Sequence, residues 1–396
     1  MRYTIGQLAE IIDGDRGKNY PKQDEFYPQG YCLFLNTGNV TKEGLIFEEN
    51  QFIMKEKDEA LRKGKLKRGD IVYTTRGTVG NAGYYNSSVP YENVRINSGM
   101  VILRSNGEIV DARFLYQILK SEYYRPYFKQ YCTGSAQPQL PIKNFSQIYL
   151  NVPDIKTQHR IADILSVYDD LIENNQRQIK LLEEAAQRLY KEWFVDLRFP
   201  GHENTKIVDG VPEGWNEKTL SQVANVIMGQ SPKSEFYNSE KKGLPFHQGV
   251  GSYGVRFVID DIYSTSYTRI AEPNSILFSV RAPVGRLNIT KNKVVIGRGL
   301  AAINQTDGCQ SYLYYLLKNK FFKDNIVGNG AIFASVSKDE LLNQKFLIPE
   351  RNLMMQFEKI VSQMDKQIEN LDSKNKKLIE ARDRLLPKLM SGEVEA

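Results

Sequence analysis

The stretch IENNQRQIKLLEEAAQRL (172–189) returns 196 residues later as IENLDSKNKKLIEARDRL (368–385). Walking outward at that offset, Pro153 falls on Pro349, Ser166 on Ser362, Asp169 on Asp365 and Lys180 on Lys376. From Pro153 to Lys191 there are 13 identities in 39 ungapped positions. Charged helices resemble one another by composition, so the shared proline start and the lack of gaps weigh more than the count. A seven-residue period runs through each copy. The first has Ile161, Tyr168, Asn175, Leu182 and Leu189, beside Ile164/Leu165, Leu171/Ile172, Ile179 and Ala185/Ala186. The second has Phe357, Met364, Leu371, Leu378 and Leu385, beside Ile360/Val361, Ile368 and Ala381. Four such heptads predict a coiled-coil seam. A stripe of ~30 residues spans about 45 Å at 1.5 Å per residue and needs a partner of that length. The other copy supplies one, although each helix could instead lie on its own domain. Asn175 in the seam fixes register at some cost in stability.

The repeat continues upstream with shrinking offsets. TIGQLAEIIDG (4–14) matches TLSQVANVIMG (219–229), IVYTTRGTVG (71–80) matches ILFSVRAPVG (276–285), and FLYQILKS (114–121) matches YLYYLLKN (312–319). Loops differ in length while elements keep their order, which marks a duplicated domain and not a solenoid. Each copy predicts a short amphipathic helix, several short strands punctuated by Gly, Asn and Pro, an aromatic helix (112–128 in the first copy), a Gly-rich loop and a last strand. The fold class is α+β: two pseudo-symmetric, mixed-β domains with short helices, joined by two long antiparallel coiled-coil helices. The expected bounds are 1–152, a central helix 153–197, a linker 198–215, a second domain 216–348 and a C-terminal helix 349–396. An antiparallel pair would place the two domains at opposite ends of the rod.

The chain of 396 residues holds 53 basic and 47 acidic side chains, a formal charge of +6. That mild excess is compatible with a nucleic-acid partner without requiring one. Cys32, Cys132 and Cys309 are odd in number and widely spaced, which argues against a disulfide frame or a zinc site. No apolar run approaches a membrane span, and the amphipathic, acid-bearing N-terminus does not read as a signal peptide. A cytoplasmic protein is expected.

Catalytic signatures are missing. His159, His202 and His247 lack metal spacing, and neither a phosphate-binding loop nor a nucleophile elbow occurs. GVGSYG (249–254) fits G-x-G-x-x-G, but the β-like VRFVIDDIY follows where a dinucleotide site needs a helix. It reads as a glycine-rich loop able to approach another backbone closely, with Gly249, Ser252 and Tyr253 as candidate contacts. Arg76 and Arg281 each follow a β-run and precede a turn, in RGTVG and RAPVG. There an arginine can reach a guanine edge or a phosphate, or simply close a surface ion pair. In TGSAQPQ (133–139), Ser135, Gln137 and Gln139 offer hydroxyl and amide groups for phosphates and adenine. Its counterpart GNGAIFASVS contributes Ser335 and Ser337, followed by Lys338. Thr78 lies beside Arg76. KEKDEALRKGKLKRGD (55–70) is mainly a solvated face, with Lys65, Lys67 and Arg68 as phosphate candidates.

These stretches resemble the DNA-specificity subunits of type I restriction-modification systems. The likeness covers the whole chain and is strongest over 152–201, which is similar to that family's central region, and over 348–395, including the LLPKLMSGE ending. GDIVYTTRGTVG and NSILFSVRAPVG resemble the strand–loop of its target-recognition domains. The second copy departs at Phe333, where the first has Gln137, and at Pro283, where it has Thr78, so the two copies should read different sequences. The resemblance implies a non-catalytic subunit that binds double-stranded DNA. Each domain would read one half of a bipartite asymmetric site, with the helices setting the spacer. It implies assembly with two methyltransferase subunits using S-adenosylmethionine and two translocase/endonuclease subunits using ATP and Mg, and no cofactor on this chain. Exposed helix residues Arg177, Lys180, Glu184 and Arg188 are candidates for docking the methyltransferase. The competing readings are a stand-alone methyltransferase or nuclease and a coiled-coil scaffold for proteins.

Overall fold

The computed structural model describes residues 1–47, 50–134, 137–321 and 335–395. It divides into two compact units, 1–176 with 372–396, and 177–371. The strands that position the candidate residues in unit 1 are β1 (Arg2–Thr4), β2 (Glu10–Asp13), β3 (Cys32–Leu35), β4 (Phe52–Ile53), β5 (Ile71–Thr74), β6 (Ala82–Tyr84), β7 (Val94–Ile96), β8 (Met100–Arg104) and β9 (Tyr149–Asn151). Its helices include α1 (Ile5–Leu8), α2 (Ala112–Lys120) and the start of α3 (Ile155–Phe194). In unit 2 the corresponding strands are β10 (Asn216–Thr219), β11 (Ala224–Met228), β12 (Leu244–His247), β13 (Ile276–Ser279), β14 (Leu287–Ile289), β15 (Val294–Ile296), β16 (Leu300–Gln305) and β17 (Lys345–Ile348). They accompany α4 (Leu220–Val223), α5 (Gln310–Phe321) and α6 (Arg351–Ser391), whose last turns belong to unit 1.

The two units share a topology. Unit 1 has an antiparallel sheet ordered β2–β8–β5–β6, and unit 2 has β11–β16–β13–β14 in the same arrangement. Beside each lies a small sheet containing one parallel pair, β3 with β7 and β12 with β15. The first and last strands of each domain close on one another, β1 on β9 and β10 on β17. The T-x-x-Q motif at the start of both copies has a local cause: the Thr4 and Thr219 N–H groups donate to Gln7 Oε1 and Gln222 Oε1, each at 2.8 Å. This closes a capping turn before α1 and α4. The central strands read as unbroken apolar runs, such as Val101–Leu103 and Leu300–Ile303, because both faces are covered.

The aromatic helix of the first copy is shorter than its sequence predicts. α2 ends at Lys120, Ser121 turns to extended backbone, and a separate short helix covers Arg125–Lys129. Pro126 sits in the first turn of that second helix, the position proline tolerates.

The long helices pair antiparallel within each unit. In unit 1, Asp169 of α3 meets Arg382 of α6 and Asn175 meets Asn375, so one number rises as the other falls. In unit 2, Glu183 and Asp365 share one arginine, and Tyr190 packs on Phe357 with ring centroids 6.0 Å apart. Of the expected seam, Ile161, Leu165, Ile172, Ile179, Ala186, Phe357, Val361, Ile368 and Leu371 are buried. Leu171, Ala185, Ile360 and Ala381 are exposed. The ambiguous neighbours resolve to one side because an α-helix advances 100° per residue. Where Ala381 was expected at the seam, Arg382 and Leu386 are buried instead.

Candidate nucleic-acid interface

In unit 1 three loop tips and a hairpin converge. β5 gives way, after the buried Thr75, to an exposed turn at Arg76–Thr78; the Thr75 N–H donates to Gly99 O at 2.9 Å, as does that of Arg76 at 3.1 Å. Asn97 N–H donates to Leu35 O at 2.9 Å, which brings the turn after β3, Asn36–Asn39, alongside. Leu140 N–H donates to Thr75 O at 2.9 Å and hangs on the same edge a hairpin closed between Thr133 and Gln139. The structure thus brings together Arg76, Thr78, Gln137 and Gln139, all exposed. Ser135 lies outside the described residues. The Arg76 turn is held from behind: Thr74 Oγ1 donates to Thr78 O at 2.5 Å and accepts from Asn81 N–H at 2.9 Å. Gly77 has φ +69°, a left-handed conformation that favours glycine.

Unit 2 builds the same cluster with different side chains. Val280 N–H donates to Gly299 O at 2.9 Å, Gly299 N–H to Gln248 O at 3.2 Å, and Gly297 N–H to His247 O at 2.8 Å. Val336 N–H donates to Val280 O at 2.8 Å, and Arg281 pairs with Ser335 across a β-bridge. Ser279 Oγ donates to Pro283 O at 2.6 Å and accepts from Arg286 N–H at 2.8 Å, as Thr74 does in unit 1. The change from Thr78 to Pro283 leaves this bond intact because the acceptor is a backbone carbonyl. The other noted departure, Phe333, lies outside the described residues. Arg281, Ser335 and Lys338 are exposed. Ser337 caps the short helix 338–342, with its hydroxyl and N–H both bonded to Glu340 at 2.8 Å.

The glycine-rich loop 249–254 is a rigid tip above a buried histidine. His247 is wholly buried, with Nδ1 2.8 Å from Ser252 Oγ and Nε2 3.1 Å from Asp260 Oδ1. Tyr253 O–H donates to Leu277 O at 3.0 Å, and burial pushes its phenol well above the usual range. Ser252 and Tyr253 therefore root the loop, while Gly249 carries its surface. β12 runs into the loop, but a short 3-10 turn over Val250–Ser252 follows where a dinucleotide site needs a helix.

The basic stretch of unit 1 is largely committed to the chain itself. Lys65 Nζ pairs with Asp58 at 2.5 Å, and Asp58 also holds Arg95. The Arg68 guanidinium donates to the carbonyls of Asn86, Val89 and Tyr91 and lies 4.2 Å over the Tyr85 ring. Lys67 is exposed and lines a cleft of about 360 Å³ with Arg104, Asp111 and His159. Arg177, Lys180, Glu184 and Arg188 are exposed on α3. The sequence reading missed Asn36–Asn39, Asn97–Gly99, Gln248 and Gly297–Gly299. A signal existed for two of these segments, because Ile96-x-x-Gly99 recurs as Ile296-x-x-Gly299. It also missed why both copies carry glycine before β3 and β12. A Cβ at Gly14 would sit 2.2 Å from Asn97 O, and one at Gly229 would sit 2.1 Å from Gly297 O.

Among the described residues no helix is long and apolar enough to cross a membrane, and no cluster of His, Cys, Asp or Glu could hold a metal ion. Comparison with known proteins agrees with the duplication. The family model described as the type I restriction modification DNA specificity domain matches twice, over residues 1–184 and 212–381. The chain is 29% identical to a putative type I restriction enzyme MjaX specificity subunit of Methanocaldococcus jannaschii, over 99% of this chain and 93% of that one. It is 26% identical to the HindI specificity subunit of Haemophilus influenzae, over 98% of this chain and 100% of that one. The crystal structure of a type I system S subunit from M. genitalium shares the fold, with TM-score 0.54, 18% identity and coverage of 98% of this chain and 95% of that one. With the family model spanning both halves and the loop-tip cluster built twice, the chain belongs to the type I restriction-modification DNA specificity family.

Proposed function

We propose that this chain is the DNA-binding specificity subunit of a type I restriction-modification complex and has no catalytic activity of its own. Each unit reads one half of a bipartite, asymmetric double-stranded site, and the paired helices set the unspecific gap. In unit 1, Arg76 addresses a guanine edge or a phosphate and the amides of Gln137 and Gln139 address adenine. In unit 2, Arg281, Ser335 and Lys338 serve the same surface, with Gly249 allowing close approach. Two methyltransferase subunits, docking on α3 around Arg177, Lys180, Glu184 and Arg188, would bring S-adenosylmethionine. Two translocase/endonuclease subunits would bring ATP and Mg chemistry. The supporting observation is the repetition of one loop-tip scaffold with different side chains on its exposed positions, which suits two different half-sites.

The test is single-molecule sequencing of host DNA for N6-methyladenine, with and without this gene and with Arg76→Ala. A split motif that vanishes on deletion, and loses only one half on Arg76→Ala, is the expected result. Methylation unchanged on deletion, in cells shown to express the methyltransferase subunit, would sink the reading.

A further inference from the structure

Two glycines in unit 2 have no reason within the chain to be glycine. Gly249 has extended backbone, with φ −176°, which any residue adopts. A Cβ built on Gly249 or Gly251 would meet nothing within 4 Å. Glycine costs conformational entropy on folding, so an unforced pair at a loop tip calls for an external cause. The neighbouring turn supplies a charge. Arg298 is exposed; its backbone N–H donates to Ser231 Oγ at 3.2 Å, while its guanidinium makes no ion pair or hydrogen bond among the described residues. It stands between Gly297 and Gly299, which are packed so tightly on Gln248 that a Cβ would come within 2.8 and 2.5 Å of its atoms. Arg298 is thus presented by a stiff turn directly beside the glycine tip. His247, bonded on both ring nitrogens, holds that tip from below.

We infer that Gln248–Gly251 and Arg298 form a seat for the sugar–phosphate backbone of the DNA at the second half-site. A tip with bare main chain at Gly249 and Gly251, whose Gln248 side chain is taken up by the Ser231 hydroxyl at 2.9 Å, offers little with which to read a base edge. It can lie flat against a polymer backbone, where a Cβ would collide. An unpaired guanidinium next to it matches a phosphate in geometry and charge. Unit 1 is built otherwise at this spot. Its tip carries Asn36, Thr37 and Asn39, and Ser98 takes the place of Arg298. The seat therefore grips one half-site and supplies affinity without sequence information, which is the usual division between phosphate and base contacts. This inference rests on the DNA-binding reading above.

The experiment uses the chain assembled with its methyltransferase partner and S-adenosylmethionine. DNA binding is measured against salt, and the methylated motif is sequenced, for Arg298→Ala, Gly249→Val and Gly251→Val. A backbone seat predicts that Arg298→Ala weakens binding to all duplexes alike, by roughly 3- to 10-fold, and flattens the log K against log salt slope by about 1. The motif stays the same. The valine variants should lose at least as much while melting like the parent, because the chain leaves space for them. Unchanged affinity in Arg298→Ala, or a motif relaxed at one base pair, overturns the inference. So do valine variants that bind like the parent. A parent complex that neither binds nor methylates DNA specifically overturns the functional reading and the seat together, whereas a specific parent with indifferent variants overturns the seat alone.

Discussion

Asp169 and Asp365 occupy the same place in the repeat, yet they hold different cations. In unit 1, Asp169 bonds Lys120 at 3.1 Å, Gln117 at 2.6 Å and Arg382 at 2.7 Å, all of them on helices. In unit 2, Asp365 bonds Arg256 Nη2 at 2.5 Å, and that arginine also reaches Glu183 at 3.3 Å and the Tyr315 hydroxyl at 3.2 Å. Arg256 lies two residues beyond the glycine-rich tip, in the segment where the backbone re-enters the core. Its guanidinium sits 4.0 Å over the Tyr314 ring, and its side chain is 2% exposed. The same carboxylate thus fastens a helix in one unit and a loop in the other. The lesson is that duplication preserves where a buried charge is placed, while its partner can migrate to whichever element needs fixing.

The largest effect should follow from breaking the unit 2 network. Arg256→Met leaves Glu183 and Asp365 without their cation and should cost about 3–5 kcal/mol, read as lost amide-exchange protection in the unit 2 sheet with unit 1 intact. Equal loss in both units would show that the network is not local. Asp169 sharpens the comparison through pH. Burial alone would raise its pKa, but Lys120 and Arg382 outweigh burial and hold it below the usual range. Its contribution is therefore present above the unfolded value, about 3.9, and is lost as pH falls through the lower folded value. Glu358 in unit 2 has the opposite sign. Burial raises it despite bonds from Ser311 and Tyr312, so acidification toward about 4.3 favours the folded form. Exchange measured between about pH 6 and pH 3 should show unit 1 losing protection, with the loss attenuated in Asp169→Asn. Unit 1 remaining indifferent to acid would contradict this.

The helix seam offers a third contrast. Asn175 Nδ2 donates to Asn375 Oδ1 at 2.7 Å, while the repeat-equivalent residues in unit 2 are Leu371 and Ile179, both in its core. Replacing both asparagines with those residues should raise stability by about 1 kcal/mol and broaden the methylated gap if the pair fixes register. A drop in the denaturation midpoint would show that the polar pair is itself stabilising. The smallest effect on stability is expected at Arg76 and Arg281. Each lies on an exposed turn, so alanine should change unfolding by less than about 0.5 kcal/mol while altering one half-site each. A large stability loss would place these arginines in the scaffold.

The sequence disclosed the duplication, the helix seam and the two arginine turns, because heptad spacing and strand–turn alternation leave local marks. It did not disclose the tips at Asn36–Asn39 and Asn97–Gly99, which become neighbours only through the parallel pairing of β3 with β7. Pairing between strands about 60 residues apart leaves no periodic trace. Tyr253 looked like a surface aromatic for the same reason. It is half-buried, and its hydroxyl is held by Leu277 O, 24 positions away. Arg68 looked free in a charged run, yet its partners are carbonyls, which have no signature in a residue alphabet.

The turns after β5 and β13 carry a consequence for how such a protein can change. Thr74 and Ser279 fasten them through the carbonyl oxygens of Thr78 and Pro283. Every residue has a carbonyl, so the bond tolerates any occupant that fits the turn. The outward side chain is thereby uncoupled from the latch behind it. Each tip is an interchangeable position on a fixed mount, and new preferences could accumulate there one substitution at a time while the unit beneath keeps its stability.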